Sequence, residues 1–352
     1  MTEFVEIGIE TGIETGIPIL NSIEIGISEV SKIHFDNVHG STFIMGGSRG
    51  INGKENQDSY STIKISHNGI TYTIVIVVDG HGVYGSTFSQ YTVSEFMNNI
   101  LENFSDIIKN PLALKSIFIN FNAKLYENFS QLSSGGTTGT IIIVSMGQII
   151  TANVGDCDVF AHVQTEFSNI QMIQDEQVCL LEKNIFVLTG NHDTTSDIES
   201  IRVLKTGSSV KYAQISGRLG NDVFTHVSES DKYTRVPFAN QKNAYVINMN
   251  GDGAIYFVDP YDSRLNISRS FGDFKTKFVI VEPTVTVVTF PTDIKTKIIM
   301  GSDGYFNCFR TEEIYTQFSF NSEDIISNGL TKAKEIFGND SDNMTIVVVD
   351  NC

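Results

Sequence analysis

The chain alternates between short apolar runs and longer segments in which apolar residues recur at helical spacing. The short runs predict strands over 41–45, 59–65, 71–78, 140–144, 148–153, 158–163, 184–189, 279–289, 297–301 and 344–349. Helical spacing predicts helices over 86–102, 112–130, 196–205, 311–318 and 322–337. Because the strands come in adjacent groups and do not alternate one by one with helices, the order favours antiparallel sheets with helices packed outside them.

Two segments depart from this pattern. Residues 1–38 carry a short repeat of Ile, Glu, Thr and Gly, which we interpret as a low-complexity extension and a loose tail, with partial pairing as an edge strand as the alternative. Residues 207–261 are more polar than their surroundings and contain turn signals, which is typical of a lobe or flap inserted into a larger domain. We therefore expect one main domain over 39–352, with no second independent core.

Composition excludes several classes of protein. The net charge is −17, from 41 acidic and 24 basic residues, so nucleic acid or an anionic membrane would meet a repelling field. The excess of acid fits both the attraction of divalent cations and simple solubility. No apolar run is long enough to span a membrane, and the N-terminus lacks the basic region of a signal peptide. Four scattered cysteines give no zinc or disulfide pattern, so we expect an intracellular protein, cytoplasmic or nuclear.

The most informative stretch is the end of one apolar run. Five β-branched residues, Ile74 to Val78, predict a strand buried on both faces, and the run stops at Asp79, Gly80, His81 and Gly82. Taken alone, the aspartate is as well explained by a turn as by a functional site.

Other aspartates stand at similar positions. Asp156 and Asp303 follow apolar runs, while Asp58 and Asp342 precede predicted strands. Any one of them could simply end a turn, but five strand-end carboxylates together indicate an all-oxygen site for Mg²⁺ or Mn²⁺. There is no zinc motif, no phosphate-binding P-loop and no nucleophile elbow to compete with this interpretation.

The order of motifs resembles the metal-dependent serine/threonine phosphatases of the protein phosphatase 2C family. The matching stretches are ENQDSY (55–60), VVDGHG (77–82), SSGGTTGT (133–140), ANVGDCDV (152–159), LTGNHD (188–193), RLNISRSFGD (264–273), VEPTV (281–285), GSDGYFN (301–307) and DNMT (342–345). The resemblance implies an α+β fold, in which two packed antiparallel sheets are flanked by helices in an α-β-β-α sandwich with a dinuclear metal site at one end.

The resemblance also implies roles for single residues. Asp79 would bridge two Mg²⁺ or Mn²⁺ ions, and the Gly80 carbonyl would bind one of them. Asp303 and Asp342 would hold the other ion. Asp58 would act through bound water, and His81 would protonate the leaving oxygen of a phosphoserine or phosphothreonine.

The chain departs from the family pattern at several positions. The usual phosphate-binding Arg is missing just before Asp58, so Lys54 is our first choice for that contact and Arg49 our second. Asn307 stands where an Asp is usual, so a third ion, held with Asp156, should bind more weakly. Asp273 would either support the site or touch metal directly.

Three further residues near these motifs are not expected to be catalytic. We interpret Thr137 and Thr138 as small residues that let strands pack closely. Cys157, between two aspartates, is expected to be a poor nucleophile.

The leading hypothesis is therefore a metal-dependent protein serine/threonine phosphatase that acts on phosphorylated proteins, expected to be a monomer, without a covalent phospho-enzyme. The alternative is a pseudophosphatase that keeps the fold as a binding module. The presence of Asp79, Asp303 and Asp342 favours the enzyme.

Overall fold

The computed structural model describes residues 5–12, 28–35, 38–44, 55–132, 134–174, 184–213, 219–222, 224–227, 232–235, 254–337 and 342–351. Strands β1 to β21 run, in chain order, over Val5–Gly12, Ser28–Phe35, Val38–Ile44, Asp58–His67, Ile70–His81, Gly136–Thr137, Gly139–Ser145, Gln148–Val154, Asp158–Val163, Gln171–Gln174, Ile185–Val187, Ser209–Ala213, Leu219–Asp222, Phe224–Val227, Lys232–Arg235, Ala254–Val258, Arg264–Leu265, Phe271–Gly272, Thr284–Thr289, Thr296–Gly301 and Met344–Asn351. Helices α1 to α7 cover Gly85–Glu102, Phe104–Lys109, Ala113–Phe129, Asp197–Lys205, Asp303–Phe306, Thr311–Gln317 and Ser322–Phe337.

Two antiparallel sheets form the centre of the fold. The first has the order β1-β4-β5-β7-β8-β19-β10, with the short strands β6 and β18 attached beside the end of β5. The second has the order β11-β9-β20-β21-β3-β2. Both sheets are closed at one edge by a strand from the first 38 residues, β1 in one and β2 in the other.

Strand β5 shows how the sequence places the core. Its side chains alternate between two faces, as the pleat of a strand requires. Ile74, Ile76 and Val78 belong to the apolar cluster on the helix side, whereas Val75 and Val77 belong to the cluster between the sheets. All five are fully buried, which confirms that this run is covered on both faces.

Helices cover the outer faces of both sheets. α1, α2 and α3 contribute Phe96, Phe104 and Phe118 to the core of the first sheet. α7 contributes Ile325 and Ala333 to the outer core of the second sheet. The predicted class of fold, a four-layer sandwich of helices and antiparallel sheets, is confirmed.

The segment 207–261 is described only in parts. Strands β12, β13, β16 and β17 form a separate four-stranded sheet, and β14 pairs with β15. A small apolar cluster joins this sheet to α4 through Val203 and to the loop after β18 through Phe278. Within the described residues, no helix is long and apolar enough to cross a membrane.

Candidate active site

Four of the aspartates singled out in the sequence come from both sheets and lie at one end of the sandwich. Asp58 opens β4 and stands directly opposite Asp79, near the end of β5, in the antiparallel register. Asp303 opens α5 straight after β20, and Asp342 lies two residues before β21. β20 and β21 are antiparallel neighbours, so the end of one strand lies beside the start of the other. The carboxylates of the two sheets therefore meet at this end.

A buried serine ties the two sheets together here. The Ser302 hydroxyl, from the second sheet, donates a 2.7 Å hydrogen bond to Asp58 Oδ2 in the first. The backbone N–H of Thr345 donates to the same Ser302 oxygen at 3.0 Å. This link fixes the relative position of the two pairs of aspartates, and sequence reasoning missed it because Ser302 precedes the more conspicuous Asp303.

Negative charge accumulates at the site. Burial, followed by the charges of Asp58, Asp303, Asp342 and Asp156, raises the pKa of Asp79 well above its usual value. Burial is also the main cause that raises the pKa of Asp58 to about 6. In the part of the chain that the structure describes, no Lys or Arg forms an ion pair with Asp58, Asp79 or Asp156. Buried carboxyl groups of this kind are neutral when protonated, and when ionised they need compensating positive charge such as that of a bound cation.

The donor set fits a hard divalent cation. Carboxylate oxygens, a backbone carbonyl and water are the ligands that Mg²⁺ and Mn²⁺ prefer. A Cβ at Gly80 would lie 2.3 Å from the Gly85 carbonyl oxygen, so this close turn of the backbone requires glycine. Among the described residues, no group of three or more His, Cys, Asp or Glu side chains is arranged to hold a metal ion. Other ligands, such as the Gly80 carbonyl and water, would have to contribute.

Thr138 holds the backbone of Asp79. The Asp79 N–H donates to Thr138 Oγ1 at 2.7 Å, and the Thr138 N–H donates to the Asp79 carbonyl at 2.8 Å. Thr138 Oγ1 also lies 3.1 Å from the Cys157 sulfur. Burial, followed by the charges of Asp79 and Asp156, raises the pKa of the Cys157 thiol well above its usual value, so it is a buried thiol rather than a nucleophile. Thr138 thus packs as predicted, but it also positions the central aspartate.

His81 is paired with Asp273. His81 Nε2 lies 2.6 Å from Asp273 Oδ2, and the Ser270 hydroxyl donates to the same oxygen at 2.6 Å. Burial alone lowers the pKa of His81, but the charge and hydrogen bond of Asp273 outweigh it and raise the pKa overall. The His81 side chain is 23% exposed and that of Asp273 6%. The sequence left open whether Asp273 supports the site or touches metal, and the structure places its carboxylate on the imidazole.

Short strands bring these two residues together across 192 positions of the chain. In the register of β5, β6 and β18, His81 lies opposite Gly136, which lies opposite Gly272. A Cβ at Gly136 would lie 2.4 Å from Asp273 Oδ2, so glycine leaves the space that the carboxylate occupies. The glycine-rich segment before β7 is therefore required for the pair to form.

A buried ion pair anchors the segment that carries Asp273. Glu199 of α4, 2% exposed, accepts a 2.6 Å hydrogen bond from Arg269 and a 2.8 Å hydrogen bond from Arg202. The Ser268 hydroxyl donates to Glu199 as well. This network could not be predicted from the sequence, because Glu199 resembles any acidic residue in the first turn of a helix.

The remaining predicted residues have mixed outcomes. Asn307 donates a 3.2 Å hydrogen bond to Asp303 Oδ2 and so lies beside the cluster. Asp156 lies close enough to Asp303 that this neighbour, after burial, helps raise its pKa. Lys54 and Arg49 lie outside the described residues.

Comparisons with known proteins bear on the family and the fold of the chain. The protein phosphatase 2C family model matches residues 60–325. Among curated proteins, a probable protein phosphatase 2C 35 from Arabidopsis thaliana is 34% identical over 104 residues, which cover 29% of this chain and 30% of the relative.

Solved structures show the same fold at low identity. A serine-threonine phosphatase 2C from Toxoplasma gondii aligns with a TM-score of 0.55 at 15% identity. The alignment covers 92% of this chain and 98% of the Toxoplasma gondii chain. A C. elegans sex determining protein has a TM-score of 0.56 at 16% identity, with 91% of this chain and 65% of that protein covered.

The four-layer sandwich of helices and antiparallel sheets is the fold that the chain shares with these structures. The family model covers more than half of the chain, and the chain belongs to the protein phosphatase 2C family. The chain spans 30% of the length of the curated relative and 65% of that of the C. elegans protein. Asp58 and Asp342 lie outside the matched range, so their place in the site rests on the structure.

Proposed function

We propose that this chain is an active, metal-dependent phosphatase that hydrolyses phosphoserine and phosphothreonine in proteins. The observation that carries the proposal is the meeting of strand-end aspartates from both sheets beside the His81–Asp273 pair. Membership of the protein phosphatase 2C family supports the same class of reaction.

Asp79, the Gly80 carbonyl, Asp303 and Asp342 would hold two Mg²⁺ or Mn²⁺ ions, with Asp58 acting through water. Divalent cations in such a site supply an acidified water and neutralise charge on phosphoryl oxygens. Asp156 and Asn307 would hold a third, weaker ion. Asp342 is exposed and Asp58 buried, so the carboxylates line the site from its rim to its base.

His81 would act as the general acid. Its raised pKa favours the doubly protonated ring, in which Nε2–H would donate to Asp273 Oδ2. Nδ1 is then the atom that would pass a proton to the leaving serine or threonine oxygen. Asp273 does not touch the substrate in this scheme but orients the imidazolium and holds its charge.

Phosphate recognition needs a further cation from the protein. Lys54 is our proposed contact, with Arg49 as the alternative. A lysine would bind the phosphate as a point charge, without the bidentate geometry of an arginine.

The test is a titration of Mn²⁺ into chelator-treated protein, with a phosphothreonine peptide and an aryl phosphate as substrates. Wild type should show turnover that depends on the metal, and Asp79→Asn should lose at least about a hundredfold of it. Asp293→Asn, the same change at an exposed loop position, should behave as wild type. If wild type turns over neither substrate faster than Asp79→Asn but still binds the phosphopeptide, the chain is a binding module and the proposal is wrong.

A further inference from the structure

A cavity of about 460 Å³ lies between α3 and the segment that follows β18. Ile119 and Asn122 line it from the helix, and Phe274, Thr276 and Val279 line it from the segment. This volume falls within the range of cavities that bind ligands. Nothing in the proposed reaction uses the cavity.

The cavity shares a wall with the proposed active site. Asp273, whose carboxylate contacts His81, also lines the cavity. The Gly272 N–H donates a 2.9 Å hydrogen bond to Asn122 Oδ1, which fixes this wall to α3. Gly272 is two strand positions from His81 in the β5-β6-β18 register, a separation of roughly 10 Å at the usual spacing of strands.

The helix side of the cavity presents apolar groups to solvent. Ile119 is 49% exposed and Tyr126, two turns further along the same helix face, is 56% exposed. The Tyr126 ring packs edge-on against Phe274, with ring centroids 5.2 Å apart. Single exposed apolar residues are ordinary, but Ile119 lines the cavity and Tyr126 packs on Phe274, which also lines it.

We propose that this cavity receives an apolar side chain of the phosphoprotein substrate, about three residues from the phosphorylated serine or threonine. The inference rests on the proposed function, since the phosphorylated residue must lie at the aspartate cluster. An extended peptide advances roughly 3.3 Å per residue, so three residues span the roughly 10 Å between the backbone of His81, the proposed general acid, and that of Gly272, which lines the cavity. Beside the apolar side chains, the lining carries polar and acidic groups, from Asn122, Ser270, Asp273, Thr276 and Glu282.

The test compares phosphothreonine peptides that carry Leu or Ser at the third position, before or after the phosphorylated residue. Each kcat/KM is divided by the value of the same variant for an aryl phosphate, which is too small to reach the cavity. Wild type should prefer one of the Leu peptides over its Ser counterpart by roughly tenfold or more. Ile119→Glu places a charge at the mouth of the cavity. In this variant the normalised values for the Leu and Ser peptides should differ by no more than about twofold.

Two further variants make the outcome decisive. Thr276→Phe fills the cavity without adding charge and should also abolish the preference. Ile198→Glu makes the same change at an exposed position of α4 that does not line the cavity, and should keep it. No preference in wild type at either third position, or a preference that survives both cavity variants, would overturn the proposal. If wild type hydrolyses no substrate, the proposed function fails, and a Leu-dependent difference in phosphopeptide binding, abolished by Ile119→Glu, would still support the cavity.

Discussion

Replacing Asp273 with Asn removes one negative charge from beside His81 and keeps nearly the same shape. The residue has a left-handed backbone, with φ of 48°, which Asn tolerates better than most side chains. Its N–H bond to the Gly135 carbonyl is made by the backbone and is unaffected by the change. The substitution therefore tests the charge on the imidazole without moving the loop.

The size of the effect follows from the contact. A hydrogen bond between charged groups, here 2.6 Å long and with both side chains mostly buried, contributes about 1.5–3 kcal/mol. At 1.36 kcal/mol per tenfold, we expect kcat for a phosphoserine peptide to fall roughly ten- to hundredfold at pH 7. An aryl phosphate should lose much less, because its leaving phenolate needs no proton from the enzyme.

The pH profile provides the stricter test. Asp273 raises the pKa of His81, so the protonated ring persists to higher pH in wild type than in the variant. The alkaline limb of the kcat profile should therefore move to lower pH in Asp273→Asn. His81→Gln should lose about 10²–10⁴-fold on the phosphoserine peptide, and the double variant should lose no more than His81→Gln alone. A slower Asp273→Asn enzyme with an unmoved profile, or a double variant with additive losses, would show that Asp273 does not act through His81.

Three other expectations follow from the geometry. Glu199→Gln breaks a buried ion pair with Arg269 and should lower the free energy of unfolding by about 3–5 kcal/mol in urea. Burial alone would raise the pKa of Glu199, but the two arginines outweigh burial and lower this pKa from 4.5 to about 2. The free energy of unfolding of wild type should therefore fall by about 3 kcal/mol as the pH falls from about 4.5 to 2, and that of the variant should not show this loss. Gly139→Ala would place a Cβ 2.3 Å from the buried Phe271 ring and should cost about 1–3 kcal/mol in thermal unfolding; a change within about 0.5 kcal/mol would mean that the ring can move aside. Asn307→Asp replaces an amide donor with a carboxylate beside the aspartate cluster. The variant should have a lower melting temperature than wild type without metal, and its melting temperature should rise more steeply with added Mn²⁺. An unchanged Mn²⁺ titration curve would rule out a third ion there.

Much of the fold could be predicted from the sequence because the core strands are unusually regular. The β-branched run of β5 predicted a strand covered on both faces, and Ile74 and Val75 do point to opposite cores. The main helices begin and end within about two residues of their predicted limits. The short helices α2 and α5 were missed, since segments of six and four residues show no helical period.

Part of the candidate site could likewise be predicted from the sequence, and part could not. Aspartates at the ends of apolar runs are visible in the sequence because each lies at, or within two residues of, the end of a strand. The contact between His81 and Asp273 is not visible, because it depends on the two-residue strands β6 and β18, which leave no period to detect. The buried pair of Glu199 and Arg269 is hidden for a similar reason: only the packing of α4 against the loop brings the charges together.

The two strands at the beginning of the chain have a consequence for handling the protein. β1 covers the outer edge of β4, and β2 covers the outer edge of β3 in the other sheet. A shortened protein that started near residue 38 would bare two rows of backbone N–H and C=O groups at once, one in each sheet. Exposed rows of this kind are templates for pairing with other chains. Removing the low-complexity extension to shorten the protein would therefore favour self-association, even though the proposed catalytic residues would all be retained.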